Sequence, residues 1–422
     1  MYRIIAAVLA AGACASSLQA QTTPTDPAAS APVLTLAEAL DRAGASSPFQ
    51  DAAAAGIRAA EAQRRVAGLR PNPSIVGEAE NVAGTGIYQG LRSSETTVGL
   101  ALPLELGGKR GARIAVAEAQ IGRAGLQAVI ARADLRLRVT QTYNAAAAAQ
   151  RRVGIAEDQV GIAAEVVRAA RVRVQAGRAS PLEEQRADVA RIAAEGALER
   201  ARRSAEAASS NLARLLGMPV GRLDHQWFDA VPPPGTSRPA AATGSLAVAA
   251  ARADLDTASA QVRLARSQRV PDLTVSASAR RLEQTNDVAA VFGISIPLNV
   301  FNNGRAAIAV AEAQREQADA QRRVATLDVE QDVATAQAEA ENAATTARNA
   351  TGPALAAATE AARIARIGYR EGKFGQLDLL DAERTLLDTR TAAIDALAAH
   401  HDAQARLERL IAPAPRRKDD QR

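Results

Sequence analysis

Asp378 and Asp381 stand three residues apart at the start of an Ala- and Leu-rich segment, a spacing that puts both carboxylates on one face of a helix. Such acids can complement the positive end of the helix whose first turn they occupy. Repeated by symmetry around a constriction, they can instead form rings that favour cations. Spacing alone favours the first reading. Beyond these two the chemical inventory is short. His225 is isolated, His400 and His401 are adjacent, and Cys14 is the one cysteine, so no metal-ligand spacing is present. No nucleophile motif, phosphate loop or acid–base pair stands out, and the chain reads as a non-enzyme with no metal centre and no cofactor. His400 and His401 read as part of a solvated helix face. The 51 basic and 46 acidic residues are interspersed, with a net charge of +5. A nucleic-acid partner would call for a basic stripe with stacking aromatics, and none is seen.

The elements that must position these residues are announced by a repeat. LPLELGGKRGARIAVAEAQ begins at Leu102, and IPLNVFNNGRAAIAVAEAQ begins at Ile296. One offset carries Pro103 onto Pro297 and Ile114 onto Ile308. Aromatic residues are only 2% of the 422, while Ala, Glu, Arg, Gln and Leu abound, the mixture of long, closely packed helices. Residues 1–20 read as a signal peptide: Arg3, a short apolar run over 4–13, and a small-residue site ending at Ala20. A lipoprotein reading would make Cys14 the first mature residue, but the lipobox match is weak. The mature chain is expected to be exported, without disulfides, and to contain no helix apolar enough to span a bilayer.

Each copy follows one plan. A helix opens it, over 36–69 in the first and 245–268 in the second, and a proline ends it, at Pro71 and Pro271. A strand pair follows. Residues 96–104 and 290–298 alternate apolar with small or polar side chains, and 74–81 and 273–281 are weaker partners. Four strands cannot close a barrel and lipid does not tolerate open edges, so a membrane reading requires several chains, three giving twelve strands. The ordinary alternative is a hairpin on a soluble core, which would need bulky residues that this chain lacks. Long helices then run over 110–175 and 305–369. The first carries a heptad seam: Val139, Ala146, Val153, Val160, Val167 and Val174. The second carries Ala336, Ala343, Ala350, Ala357 and Ile364, with a kink expected at Gly352-Pro353.

Gly177 and Gly372 suit left-handed caps at the ends of these helices, and Pro181 suits the first turn of a return helix. The return helices, 182–216 and 376–411, are about half as long. Stacking 182–216 end to end on 245–268 would match one long helix. The copies thus span 34–216 and 245–411, joined by a Pro- and Gly-rich belt over 217–244, with a charged tail over 412–422. The repeated phrase marks the strand-to-helix junctions. Pro103 and Pro297 fit strand ends, Gly107, Gly108 and Gly304 let the chain swivel, and Lys109, Arg110 and Arg305 suit a membrane–water boundary.

This plan resembles the TolC-type outer-membrane efflux family across nearly the whole mature chain. The resemblance is sharpest at Gly368-Tyr369-Arg370-Glu371-Gly372 and Leu377-Asp378-Leu379-Leu380-Asp381-Ala382. Asn72-Pro73, Glu80-Asn81, Gly84-x-Gly86 and above all Leu104-Glu105-Leu106-Gly107-Gly108-Lys109-Arg110 resemble its CzcC-like heavy-metal branch. The resemblance implies a mainly α chain with a small β part. It implies a homotrimer, with a twelve-stranded outer-membrane β-barrel built from four strands per chain and continuous with a long periplasmic α-helical barrel. It implies the exit duct of a resistance-nodulation-division pump, reached through a periplasmic adaptor and carrying heavy-metal cations, with organic toxicants as the alternative cargo and a structural periplasmic coiled coil as a more distant one. It places Asp378 and Asp381 at the periplasmic entrance, reversing the preference from spacing, and it puts adaptor docking at the helix tips, with Gly177, Pro181, Tyr369, Gly372, Lys373 and Phe374.

Overall fold

The computed structural model describes residues 33–45, 48–233 and 244–415. The signal peptide expected over 1–20, Cys14, part of the belt and the end of the tail lie outside the described residues.

One antiparallel sheet holds four strands in the order β1 (Ser74–Glu80), β2 (Glu95–Leu104), β3 (Leu273–Leu282) and β4 (Asp287–Ser295). The two copies share one register. Ser74 faces Ala101 in the first hairpin, and Thr274 faces Ser295 in the second. The alternation sorts the faces as expected. Val98, Leu100 and Leu102 of β2 and Val288, Phe292 and Ile294 of β4 stand exposed on one face. Thr97, Ala101, Ser276 and Ser278 share the other. Among the described residues, no core receives the apolar face. Gly99 is required on the opposite side, because a Cβ there would meet Ser278 Oγ and the Ala277 carbonyl. Pro103 lies inside β2, opposite Thr274, two residues past the end of the β1 ladder. β4 is displaced from the predicted 290–298 and stops at Ser295. Ile296, Pro297 and Leu298 correspond to Leu102, Pro103 and Leu104, which are in the sheet only because β3 pairs with them.

The first opening segment is two helices, not one: α1 (Leu36–Ala45) and α2 (Pro48–Ala67), the second starting on a proline that fits a first helical turn. Four residues after β2 ends, α3 (Lys109–Gln175) begins and runs unbroken for 67 residues, about 100 Å. It returns as α4 (Pro181–Leu216); α5 (His225–Asp229) lies in the belt, and α6 (Leu246–Ser267) opens the second copy. α7 (Arg305–Asn349) and α8 (Leu355–Arg370) form the second long element and α9 (Gln376–Leu410) the second return.

The end-to-end stacking differs from the expected one. α6 lies between the long helices, tied to α3 by Arg123–Asp254 (2.7 Å) and to α7 by Arg266–Glu312 (2.7 Å). α9 continues in the same slot, tied to α3 by Arg390–Asp158 (3.3 Å) and Arg409–Asp134 (2.5 Å). The Ala414 N–H donates to the Gly244 carbonyl at 2.9 Å, so the end of α9 meets the start of α6. The end of α4 likewise meets the start of α1, where Leu34 bridges Leu223. Each return helix therefore stacks on the opener of its own copy. Sequence lengths balance for either pairing, and only the belt contacts decide.

Of the seam predicted for the first long helix, Val139, Ala146 and Val167 are buried and Val153, Val160 and Val174 half-buried, and Ala149, Ala156, Ala163 and Ala170 on the adjoining line are buried with them. The second departs further from its prediction. Gly352-Pro353 produces a π-turn over Ala350–Ala354, and the buried line runs through Ala336, Ala347, Ala358 and Tyr369. That is an eleven-residue repeat, three turns at about 3.67 residues each, the period of a nearly straight helix. Ala357 and Ile364 of the predicted heptad stripe face outward.

Three of the few aromatics, Tyr143, Trp227 and Phe228, meet at the belt. Tyr143 is fully buried, donating its hydroxyl proton to the Leu34 carbonyl (2.8 Å) and accepting from the Asp224 N–H (3.1 Å). Burial pushes its pKa up to about 12. The Trp227 ring stacks on His401 at 4.1 Å, and a His401 ring nitrogen lies 2.9 Å from the Phe228 carbonyl. His400 and His401 are thus core residues at 3% and 7% exposure, not a solvated face. The belt element α5 covers the flank of α9 that a lone amphipathic helix would leave wet.

Candidate functional site

Two places gather the predicted residues: the turns at the far end of the helices and the junctions at the sheet. Both turns are built alike. Gly177 and Gly372 take left-handed φ of 65° and 74°. The Arg178 N–H reaches back to the Arg173 carbonyl, and the Lys373 N–H to the Gly368 carbonyl, each at 2.8 Å. This is the Schellman closure, which satisfies carbonyls left open at a helix end. Ser180 caps α4 by accepting from the Leu182 N–H, with Pro181 following.

The turns are also braced against each other. Arg173 lies over the Tyr369 ring, 4.7 Å from its centroid, and donates to the Tyr369 carbonyl at 3.1 Å. The Tyr369 hydroxyl reaches Glu183 at 3.4 Å, and Gln376 donates to the Glu183 carbonyl at 2.6 Å. Burial, and then Glu183, raise the Tyr369 pKa. Tyr369 is only 2% exposed, so within the chain it is a brace between the turns. Gly177, Gly372, Lys373 and Phe374 do lie at the exposed tip. Gly368 is obligatory for Phe374, whose ring occupies the space a Cβ would need.

Asp378 and Asp381 are both exposed. Asp378 turns back to accept the Gly375 N–H at 3.0 Å, closing the start of α9. Asp381 makes no hydrogen bond or ion pair among the described residues. Asp378 therefore caps the start of α9, and Asp381 presents an exposed carboxylate one turn further on. Behind them Arg366 of α8 grips Glu383 of α9 with two hydrogen bonds, one of 2.8 Å, and Glu383 is 3% exposed.

The junction explains LELGGKR. Glu105 holds Arg113 through both guanidinium nitrogens, and this pairing keeps the Glu105 carboxyl below its ordinary pKa. Lys109 pairs with Asp272 at 2.7 Å, and the Leu106 N–H donates to the same carboxylate at 3.1 Å. Burial opposes the charge on Asp272, yet these two partners hold its pKa low. Arg110 donates to the Gly68 carbonyl (2.6 Å) and Arg113 to the Leu69 carbonyl (3.1 Å), closing the end of α2. Gly107 and Gly108 adopt φ of 69° and 72°, and a Cβ on Gly107 would come within 2.6 Å of Val270 Cβ. The glycines are therefore fixed left-handed corners, not swivels. Lys109 and Arg110 are spent on carboxylate and carbonyl partners. In the second copy Gly304 is likewise left-handed, at φ 76°, and the Arg305 N–H is taken by Asn303 at 3.1 Å. Glu105, Lys109 and Arg113 are matched there by Asn299, Asn303 and Ala307, so the knot has no ionic counterpart. Sequence reading missed Asp272, Arg113, Arg173 and Glu183 as partners. The one available signal was that the two copies differ in charge at aligned junction positions.

The outer membrane efflux protein family model matches residues 39–218 and 239–412. The chain belongs to this family. It is 33% identical over 401 residues to the cobalt-zinc-cadmium resistance protein CzcC of Cupriavidus metallidurans, covering 92% of each chain. It is 32% identical over 316 residues to the nickel-cobalt-cadmium resistance protein NccC of Alcaligenes xylosoxydans xylosoxydans, covering 72% of this chain and 70% of that one. Among solved structures, CusC superposes with a TM-score of 0.74 at 19% identity, covering 90% of this chain and 92% of that one. The outer membrane protein VceC of Vibrio cholerae gives 0.71 at 21% identity, over 90% and 96%. The fold is that of the TolC-type outer-membrane channels, and the protein is an outer-membrane efflux protein whose helices extend into the periplasm.

Proposed function

We propose that this efflux protein is the exit duct of a tripartite resistance-nodulation-division system and that its cargo is heavy-metal cations. The observation that carries the cargo is the near full-length similarity to CzcC, with NccC in support. The duct works as a homotrimer. Its single sheet has two open edges and an exposed apolar face, which become tolerable in lipid when three copies close a twelve-stranded barrel. A periplasmic adaptor docks at the tips formed by Gly177, Pro181, Gly372, Lys373 and Phe374, and Tyr369 holds those tips in register. Asp381, with Asp378 above it, gives each copy carboxylates that threefold symmetry makes into rings at the entrance. Such rings concentrate cations without chelating them, as a wet duct requires. Cargo choice then belongs mainly to the inner-membrane pump.

Growth of a deletion strain across zinc, cadmium, cobalt, nickel and copper, beside dyes and antibiotics, tests the cargo. Sensitivity to metals alone is expected. Sensitivity to organic compounds alone would keep the duct and overturn the metal assignment.

A further inference from the structure

Where the sheet meets the helices, the chain carries more positive charge than its own contacts use. Lys109, Arg110 and Arg113 are engaged with Asp272, the Gly68 carbonyl and Glu105. Beside them Arg64 holds Glu118 and Arg266 holds Glu312, each at 2.8 Å or less. These four carboxylates therefore already have their bases. Four arginines at the same level are left over. Arg65 stands in the last turn of α2, Arg70 in the linker from α2 to β1, Arg269 in the linker from α6 to β3, and Arg305 at the first residue of α7. All four are exposed, and their side chains make no hydrogen bond or ion pair among the described residues. The last two turns of α2 add one carboxylate, Glu61, which is exposed and pairs with no base.

Two observations say what covers this charge. The first is continuity with the lipid-facing side of the sheet. Leu69 is 64% exposed, Leu298 83% and Phe301 102%, and Leu298 keeps the period-two phase of Phe292 and Ile294 on the apolar face of β4. The arginines thus stand where the apolar band gives out. The second is direction. Along α7, Glu312 lies about two turns and Arg348 about twelve turns on from Arg305, so the three share a face. Arg348 donates to the Pro232 carbonyl of the belt at 2.9 Å. A belt inside a duct would block it, so this face is the outer wall. We propose that Arg65, Arg70, Arg269 and Arg305 form a collar that holds the phosphates of anionic phospholipids in the periplasmic leaflet of the outer membrane. Bases just beyond a membrane span attract anionic headgroups, and the guanidinium fork matches a phosphate with two parallel hydrogen bonds. Phe301 supplies an aromatic ring at the same level, as membrane interfaces favour. The collar lies at the helix end of the sheet, which is the periplasmic end, so phospholipid is its occupant and not the lipid of the outer leaflet. Lys109 and Arg110, the bases of the repeated phrase, shape the joint, and these four meet the membrane.

The collar rests on the sheet's place in the outer membrane and not on the cargo. The full-length protein, purified in a neutral detergent, is equilibrated with micelles holding equal amounts of phosphatidylglycerol and phosphatidylethanolamine. Lipid retained after gel filtration is counted by mass spectrometry. The wild type should retain mostly phosphatidylglycerol. Arg65→Gln with Arg305→Gln should lower the ratio of the two lipids at least about tenfold, since each base beside a membrane surface favours an anionic headgroup by about fivefold. Arg70→Gln with Arg269→Gln should lower it too, and Arg65→Lys with Arg305→Lys should keep most of it. The replaced side chains have no polar partner within the chain, so these variants keep the fold. Arg58→Gln with Arg315→Gln removes exposed bases about 10 and 15 Å further down the same helices and should leave the ratio unchanged. Equal ratios in the wild type and the Arg65/Arg305 variant would overturn the collar. So would an equal fall in the Arg58/Arg315 variant, which would reduce the effect to net charge. Release of the phosphatidylglycerol by millimolar inorganic phosphate would leave a simple anion site in place of lipid docking. A trimer that falls apart at an unchanged lipid ratio would assign the arginines to the contact between copies and overturn the collar as well.

Discussion

Acid should loosen the belt through His400, and the size of the effect follows from its surroundings. The side chain is 3% exposed on α9. Burial drives its pKa from the ordinary 6.5 down to about 4, with His401 and Arg348 adding repulsion and the Ala340 backbone a small opposing influence. A histidine whose folded pKa is depressed binds fewer protons folded than unfolded between those values. Its contribution is fully present above pH 6.5 and is lost as pH falls towards 4. The whole gap corresponds to about 3 kcal/mol per protomer, and at pH 4.5 about 2.5 kcal/mol of it is already gone. Hydrogen exchange of the α9 backbone around the belt, corrected for the intrinsic pH dependence, measures it. Between pH 7.5 and 4.5 the opening equilibrium should rise about 70-fold more in the wild type than in a His400→Leu variant. His401 is also depressed by burial, but the Phe228 carbonyl and Asp402 favour its charged form, so the variant keeps a smaller slope. Equal slopes in the two proteins would refute the argument.

Three further outcomes are expected. Gly107→Ala places a Cβ at a left-handed φ and against Val270, and should cost about 1–3 kcal/mol, read as a lower midpoint of thermal unfolding. Gly368→Ala expels the Phe374 ring from the turn, so trypsin should cleave after Lys373 several-fold faster while the rest of the digest stays the same. Asp381→Asn should reduce cation preference in planar bilayers and leave stability unchanged. Asp378→Asn should reduce that preference and also weaken the α9 start by about 0.5–1 kcal/mol; unchanged reversal potentials in both would sink the entrance assignment.

Local rules made the element order legible. Period-two alternation, long Ala-rich runs, and glycines and prolines at their ends act within a few residues, and the strand faces, the 67-residue helix and both turns lie where they place them. The π-turn was legible only as a break. Its effect on the seam needs the actual helical twist, which turned a seven-residue stripe into an eleven-residue one. The histidines misled because His401 is buried by α5, a five-residue helix with no periodic signal of its own, and His400 sits beside Ala340 and Arg348 of the long helix α7.

The sequence by itself determined that this chain says one sentence twice, that each copy pairs two strands with a long helix, and that Asp378 and Asp381 share a face. Those facts follow from composition and short-range periodicity. The tertiary structure alone decided which short helix stacks on which, that LELGGKR is a knot closed by Asp272, and that Tyr369 braces the turns from inside. Each of these joins residues far apart in the chain through charge and shape, and a single sequence without its fold carries no record of such distant pairings.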